Sequence, residues 1–95
     1  MGATYLIEYH PAVMAHDVPH LGRVERQEII DAIHKKLVVA PEVFGKPLRQ
    51  TLRGYRTFRV KDFRVIFRIQ GKILKVLRVG HRSTVYPEAI RRLGL

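Results

Sequence analysis

The chain has no cysteine. That excludes a disulfide frame, a thiolate zinc site and a thiol nucleophile, and nothing in it points to an oxidising compartment. It also lacks long hydrophobic runs, so no stretch is suited to spanning a membrane. The opening MGATYLIEYH has no basic segment leading into an apolar one, so it does not read as a secretory signal, and the expected setting is the cytoplasm. Repeats and low-complexity tracts are missing too. What remains is 95 residues, 46% of them hydrophobic. That is enough for one small domain, expected over 1–95, and too little for a large cofactor cradle.

Acidic residues are scarce, and their distribution matters more than their number. Residues 1–45 hold four basic side chains against six acidic ones, a net of −2. Residues 46–95 hold fourteen basic against two acidic, a net of +12. Unbalanced charge of one sign opposes compaction, so such an excess points to an anionic partner for the C-terminal half. Arginine outnumbers lysine twelve to six. A planar guanidinium offers bidentate contact to phosphate, which favours a nucleic-acid backbone over mere solubility. A membrane surface is disfavoured, because no basic amphipathic helix carries aromatic residues on its apolar side.

The chain reads in the order β-α-α-β-β-β-α. Residues 4–9 alternate as a strand, with Tyr5, Ile7 and Tyr9 on one face. A short helix opened by Pro11 should end near Asp17, since Val18 precedes Pro19. A longer helix over about 22–38 is marked by Leu21, Ile29, Ile30, Ile33 and Leu37 at helical spacing. Its acids lie early and its lysines late, which suits the helix dipole. Residues 40–53 read as a loop. Strands follow over 55–60, Phe63–Gln70 and 72–79, with turns at Lys61-Asp62 and Gly71, and a last helix begins around Pro87. The fold class is α+β, a mainly antiparallel sheet with two N-terminal helices on one face and a short C-terminal helix.

Strict alternation along the strands places Arg64, Arg68, Arg78 and Arg82 on the sheet face turned away from the Ile29/Ile33/Leu37 stripe. Arg56 and Arg59 fall on opposite faces of their strand, so at most one of them joins. His81 falls on the Leu77/Val79 side, away from Arg82, unless a bend after Gly80 re-aims it. His16 and His20 are separated by Pro19 and make a poor metal pair. No ligand set for a metal is visible, and no cofactor is expected.

FRVKDFRVIFRI (58–69) and VLRVGHRSTVY (76–86) resemble the RelE toxins of the RelE/ParE toxin–antitoxin superfamily. The opening YLIEYHPA, the helix end KKLVVAP, the LRG at 52–54 and the closing VYPEAIRRL extend the resemblance over nearly the whole chain. It implies a RelE-like fold and a metal-independent, ribosome-dependent endoribonuclease that cuts mRNA in the A site. It also implies a small, partly disordered antitoxin, which the basic charge suggests is acidic. By motif, Arg64 takes the arginine of the YR-type position (here Phe63-Arg64), Arg82 the last-strand arginine and Tyr86 the C-terminal tyrosine. Arg56 or Arg59 takes the basic position of the preceding strand.

Cleavage through the ribose 2′-OH needs charge stabilisation at phosphorus and two proton transfers. Arginine stays protonated and cannot normally serve as a base. His81 and Tyr86 are therefore the proton-transfer candidates, beside Arg59, Arg64 and Arg82. Arg56, Lys61, Arg68 and Arg78 are the expected RNA contacts. Two rivals share the resemblance: a ParE-type poison of DNA gyrase, and a homologue that binds RNA without cutting it.

Overall fold

The structure, a computed structural model, describes residues 4–94. Five strands form one sheet in the order β1-β5-β4-β3-β2. They are β1 (Leu6–Tyr9), β2 (Lys46–Pro47), β3 (Arg56–Val60), β4 (Phe63–Gln70) and β5 (Ile73–His81). β1 pairs with β5 in parallel, and the other neighbours are antiparallel. The β3–β4 and β4–β5 turns each need one residue in the left-handed region, Lys61 at φ 55° and Gly71 at φ 60°.

The helices divide between the two faces. A wide-turned segment (Val13–Asp17) runs into a 3₁₀ turn (Val18–His20), where Pro19 ends it. Helix α1 (Arg23–Ala32) continues through wide turns over Ile33–Leu37. Val13, Ile29, Ile33 and Leu37 from these segments pack on Phe58, Val65, Phe67, Leu74, Val76 and Val79. This is the core that the helical stripe predicts. Helix α3 (Val85–Arg92) crosses the opposite face, where Val85 and Ala89 bury Leu52, Ile66 and Leu77. The centre of the face expected to be basic is therefore a second apolar core.

Residues 40–53 are more ordered than a loop. They contain helix α2 (Pro41–Phe44), the edge strand β2 and a 3₁₀ turn over Gln50–Leu52. Gly45 is required there, because a Cβ at that position would collide with the Phe67 ring.

The alternation expected for β5 fails at one place. Ile66 pairs with Arg78 but Phe67 pairs with Val76, so Leu77 is the extra residue of a β-bulge. The bulge reverses the parity on its N-terminal side. Leu74 and Val76 face α1, whereas Lys75 and Leu77 do not. Sequence alternation cannot register an inserted residue, which is why the expected faces of this strand were exchanged.

Candidate nucleic-acid interface

The expected row of four arginines separates into three environments. Arg64 and Arg59 are direct cross-strand partners, and Gly80 lies opposite Arg64 on its other side. Of the two β3 arginines, Arg59 is therefore the one that joins this face. Arg56 pairs with Phe67, takes the α1 side and donates from Nη1 to the Gly45 carbonyl at 2.9 Å.

Two guanidiniums facing each other across a ladder repel. No ion pair to either Arg59 or Arg64 is present among the described residues. Arg64 is only 8% exposed. Its Nη1 is held by the carbonyls of Lys61 and Phe63, both at 2.8 Å. Among the described residues its Nε and Nη2 make no such bonds. Arg64 is thus a fixed cation with two donors to spare, beside a second, exposed cation.

The first turn of α3 borders this pair. Tyr86 packs at the margin of the second core, and its hydroxyl lies 3.2 Å from Thr57 Oγ1. Thr57 precedes Arg59 by two residues on the same strand face. Thr57 is buried and received no attention from sequence; a threonine in a basic strand carries no signal of its own.

Arg82 lies past the end of β5, where its N–H donates to the Asp62 carbonyl at 2.8 Å. Its Nε is 3.5 Å from the Asp62 carboxylate, and its side chain is 61% exposed. It is a rim group beside the Lys61-Asp62 turn and not a member of the strand face. Lys61 itself pairs with Glu28 of α1, and that hydrogen bond raises its ammonium pKa above the ordinary 10.5.

His81 keeps the side that alternation gave it. It pairs with Phe63 and meets that ring edge-on at 5.7 Å between centroids. The Ser83 backbone N–H lies 3.1 Å from His81 Nδ1 and the Ser83 hydroxyl 2.8 Å. A backbone N–H can only donate, so Nδ1 accepts and the ring proton of the neutral imidazole sits on Nε2.

Arg78 has a different setting from the one expected. It pairs with Asp17 and, at 2.6 Å, with Glu88 of α3. Asp17 is only 3% exposed and also takes two bonds from Arg92, at 2.6 and 2.9 Å, and one from the Val79 N–H at 3.0 Å. This cluster ties the Val13–Asp17 segment, the β5 bulge and α3 together. A lone acid between the apolar Val13 and Val18 was its only sequence signal. Arg68, at the far end of β4, stands over the Tyr55 ring at 5.9 Å from its centroid.

Among the described residues, no group of three or more His, Asp or Glu side chains converges in a way that could hold a metal ion. No described helix is long and apolar enough to cross a membrane.

Residues 14–86 match the family model described as "ParE toxin of type II toxin–antitoxin system, parDE". No curated protein matches the chain. Among solved structures, the toxin–antitoxin complex RelBE2 from Mycobacterium tuberculosis contains a chain 26% identical to this one, with a TM-score of 0.78. The match covers 84% of this chain and all of that one. A mutant of the E. coli toxin RelE in the free state is 18% identical, with a TM-score of 0.73, covering 96% of this chain and 99% of that one. The RelB–RelE antitoxin–toxin complex from Methanococcus jannaschii is 18% identical, with a TM-score of 0.61, covering 80% of this chain and 91% of that one. These matches bear out the expected α+β architecture, a mainly antiparallel sheet with two N-terminal helices on one face and a short C-terminal helix. The chain belongs to the ParE toxin family of type II toxin–antitoxin systems, within the RelE/ParE superfamily.

Proposed function

We propose that this toxin is a metal-independent endoribonuclease that cuts mRNA in the ribosomal A site. The observation that carries the reading is the cross-strand pair Arg59 and Arg64. Two cationic residues directly opposed across the ladder, with no carboxylate paired to either among the described residues, favour an anion, and a phosphodiester suits guanidinium donors. When a ribose 2′-OH attacks the adjacent phosphate, charge grows on the phosphoryl oxygens, and fixed donors such as Arg64 act where it grows. Tyr86, hydrogen-bonded to Thr57, is the hydroxyl this reading assigns to proton transfer. The His81 tautomer makes that ring a neutral Nε2–H donor at the rim, suited to holding RNA more than to taking a proton. A site this small leaves substrate orientation to the ribosome, consistent with the large share of rate that positioning supplies. An antitoxin that covers the basic face completes the reading, as the complexes among the structural relatives suggest.

A second reading has its own support, since the matching family is described by the ParE toxin. In that case the anionic partner is a gyrase complex. Induced expression separates the two. The nuclease reading expects translation to stop and cuts to accumulate within translated mRNA at the A site. Intact transcripts with a rising DNA-damage response would establish the gyrase reading instead. Cleavage on programmed ribosomes, compared with the same mRNA free in solution, tests the ribosome dependence directly.

A further inference from the structure

A second like-charge pair stands at the other end of β4. Arg68 and Lys75 are direct cross-strand partners, on the same sheet face as Arg59 and Arg64. Along β4, Arg64 and Arg68 are about 13 Å apart. Helix α3 covers Ile66 between them. Beyond α3 the face opens into a groove of about 260 Å³. Leu77 and Leu93 supply apolar walls, Tyr55 an aromatic one, and Arg68 and Lys75 the charge. Glu8 is the acid of the groove, 3.8 Å from Lys75 and well exposed.

We infer that this groove is a subsite for a single nucleotide of the bound RNA, placed away from the reacting phosphate. The inference rests on the RNA reading above and extends it. Arg68 lies 5.9 Å from the Tyr55 ring centroid, and an exposed guanidinium plane beside an aromatic ring offers a nucleobase two flat surfaces to stack on. The apolar walls suit a base, and the Arg68/Lys75 pair suits its phosphate. The volume falls below the usual range for drug-sized ligands and matches a small planar group. Glu8 already faces Lys75, so the uncompensated charge of the groove is the guanidinium of Arg68. An acidic peptide would satisfy the charge but leave the stacked face unused.

The test uses the full chain and a short single-stranded 2′-O-methyl RNA, which cannot be cut, carrying a fluorescent purine analogue. A polyglutamate peptide serves as the control anion. Tyr55→Leu and Arg68→Ala should each weaken RNA binding about tenfold, with thermal unfolding confirming that both variants fold. Arg68→Lys keeps the charge and loses the plane. It should bind as weakly as Arg68→Ala while retaining the wild-type dependence on salt. Equal losses for RNA and polyglutamate would overturn the subsite as a mere charge sink. RNA affinity unchanged in all three variants would overturn it too, while leaving mRNA cutting by the wild type intact. A wild-type protein that binds no free RNA would overturn the subsite, while cleavage on programmed ribosomes decides the RNA reading separately.

Discussion

The residue that ties most of this molecule together is Asp17. Its carboxylate is buried and takes bonds from two arginines and a backbone N–H. Removing the acid of a buried ion cluster strips its arginines of their shared partner, at a cost of about 3–5 kcal/mol. Asp17→Ala should therefore lower the unfolding free energy from urea titration by about that amount, with Arg78 left on Glu88 alone. Arg64→Ala should behave in the opposite manner. On the nuclease reading it removes a fixed donor from the developing phosphoryl charge, so single-turnover cleavage should fall by about a hundredfold or more, with circular dichroism still native. A full rate in Arg64→Ala would take that arginine out of the active site. Both residues look alike to sequence reasoning, as one charge each, and both are buried. Their partners separate their roles: arginines neutralise Asp17, whereas Arg64 meets only carbonyls.

At the scale of elements, the bulge in β5 decides which side chains share a face. It turns Leu77 and Arg78 to the same side, where Leu77 joins the second core and Arg78 reaches Asp17 and Glu88. Deleting Leu77 would restore regular pairing with Val76 still opposite Phe67 and Lys75 opposite Arg68, but would take Leu77 out of the second core. The deletion should keep a cooperative transition and lower the unfolding free energy by about 2–5 kcal/mol, read from urea titration. Helix α3 has the complementary role, since it covers Ile66 and Leu77 and carries Tyr86. A chain ending at residue 84 should bind a hydrophobic dye that the full chain does not, because the second core lies open. Only one of these elements was partly legible. The last helix was visible from its proline, early acid and late arginines, although it begins at Val85, two residues before Pro87. The bulge was not visible, because it arises from how two strands fit and not from either alone.

For the whole molecule, charge and titration set the limits. Burial pushes the Tyr9 phenol above its ordinary value of 10.0, and Glu28 raises the Lys61 ammonium. For a group whose pKa is higher when folded, stability is complete below the unfolded pKa and declines as pH rises past it. The urea midpoint should stay level near neutrality and drop above about pH 10. In Tyr9→Phe that drop should be shallower. Binding to RNA should weaken steeply with salt, by a log–log slope of about −0.7 per phosphate contacted. An affinity indifferent to salt would contradict a phosphate-based interface.

The sequence by itself determined the composition of the two halves, the order of the main elements apart from α2 and β2, the helical stripe that meets the sheet and the resemblance to the RelE/ParE toxins. These depend on spacing along one chain, where helical and strand periods leave a direct trace. Only the tertiary structure decided how the arginines divide. It set Arg59 opposite Arg64, drew Arg78 into the Asp17 cluster, turned Arg56 to Gly45 and left Arg82 at a turn. The reason is that a guanidinium's role depends on what faces it across a strand or from another helix, and those neighbours are distant in sequence. The +12 half that stands out in the composition thus resolves into a few free cations and several that hold the fold together.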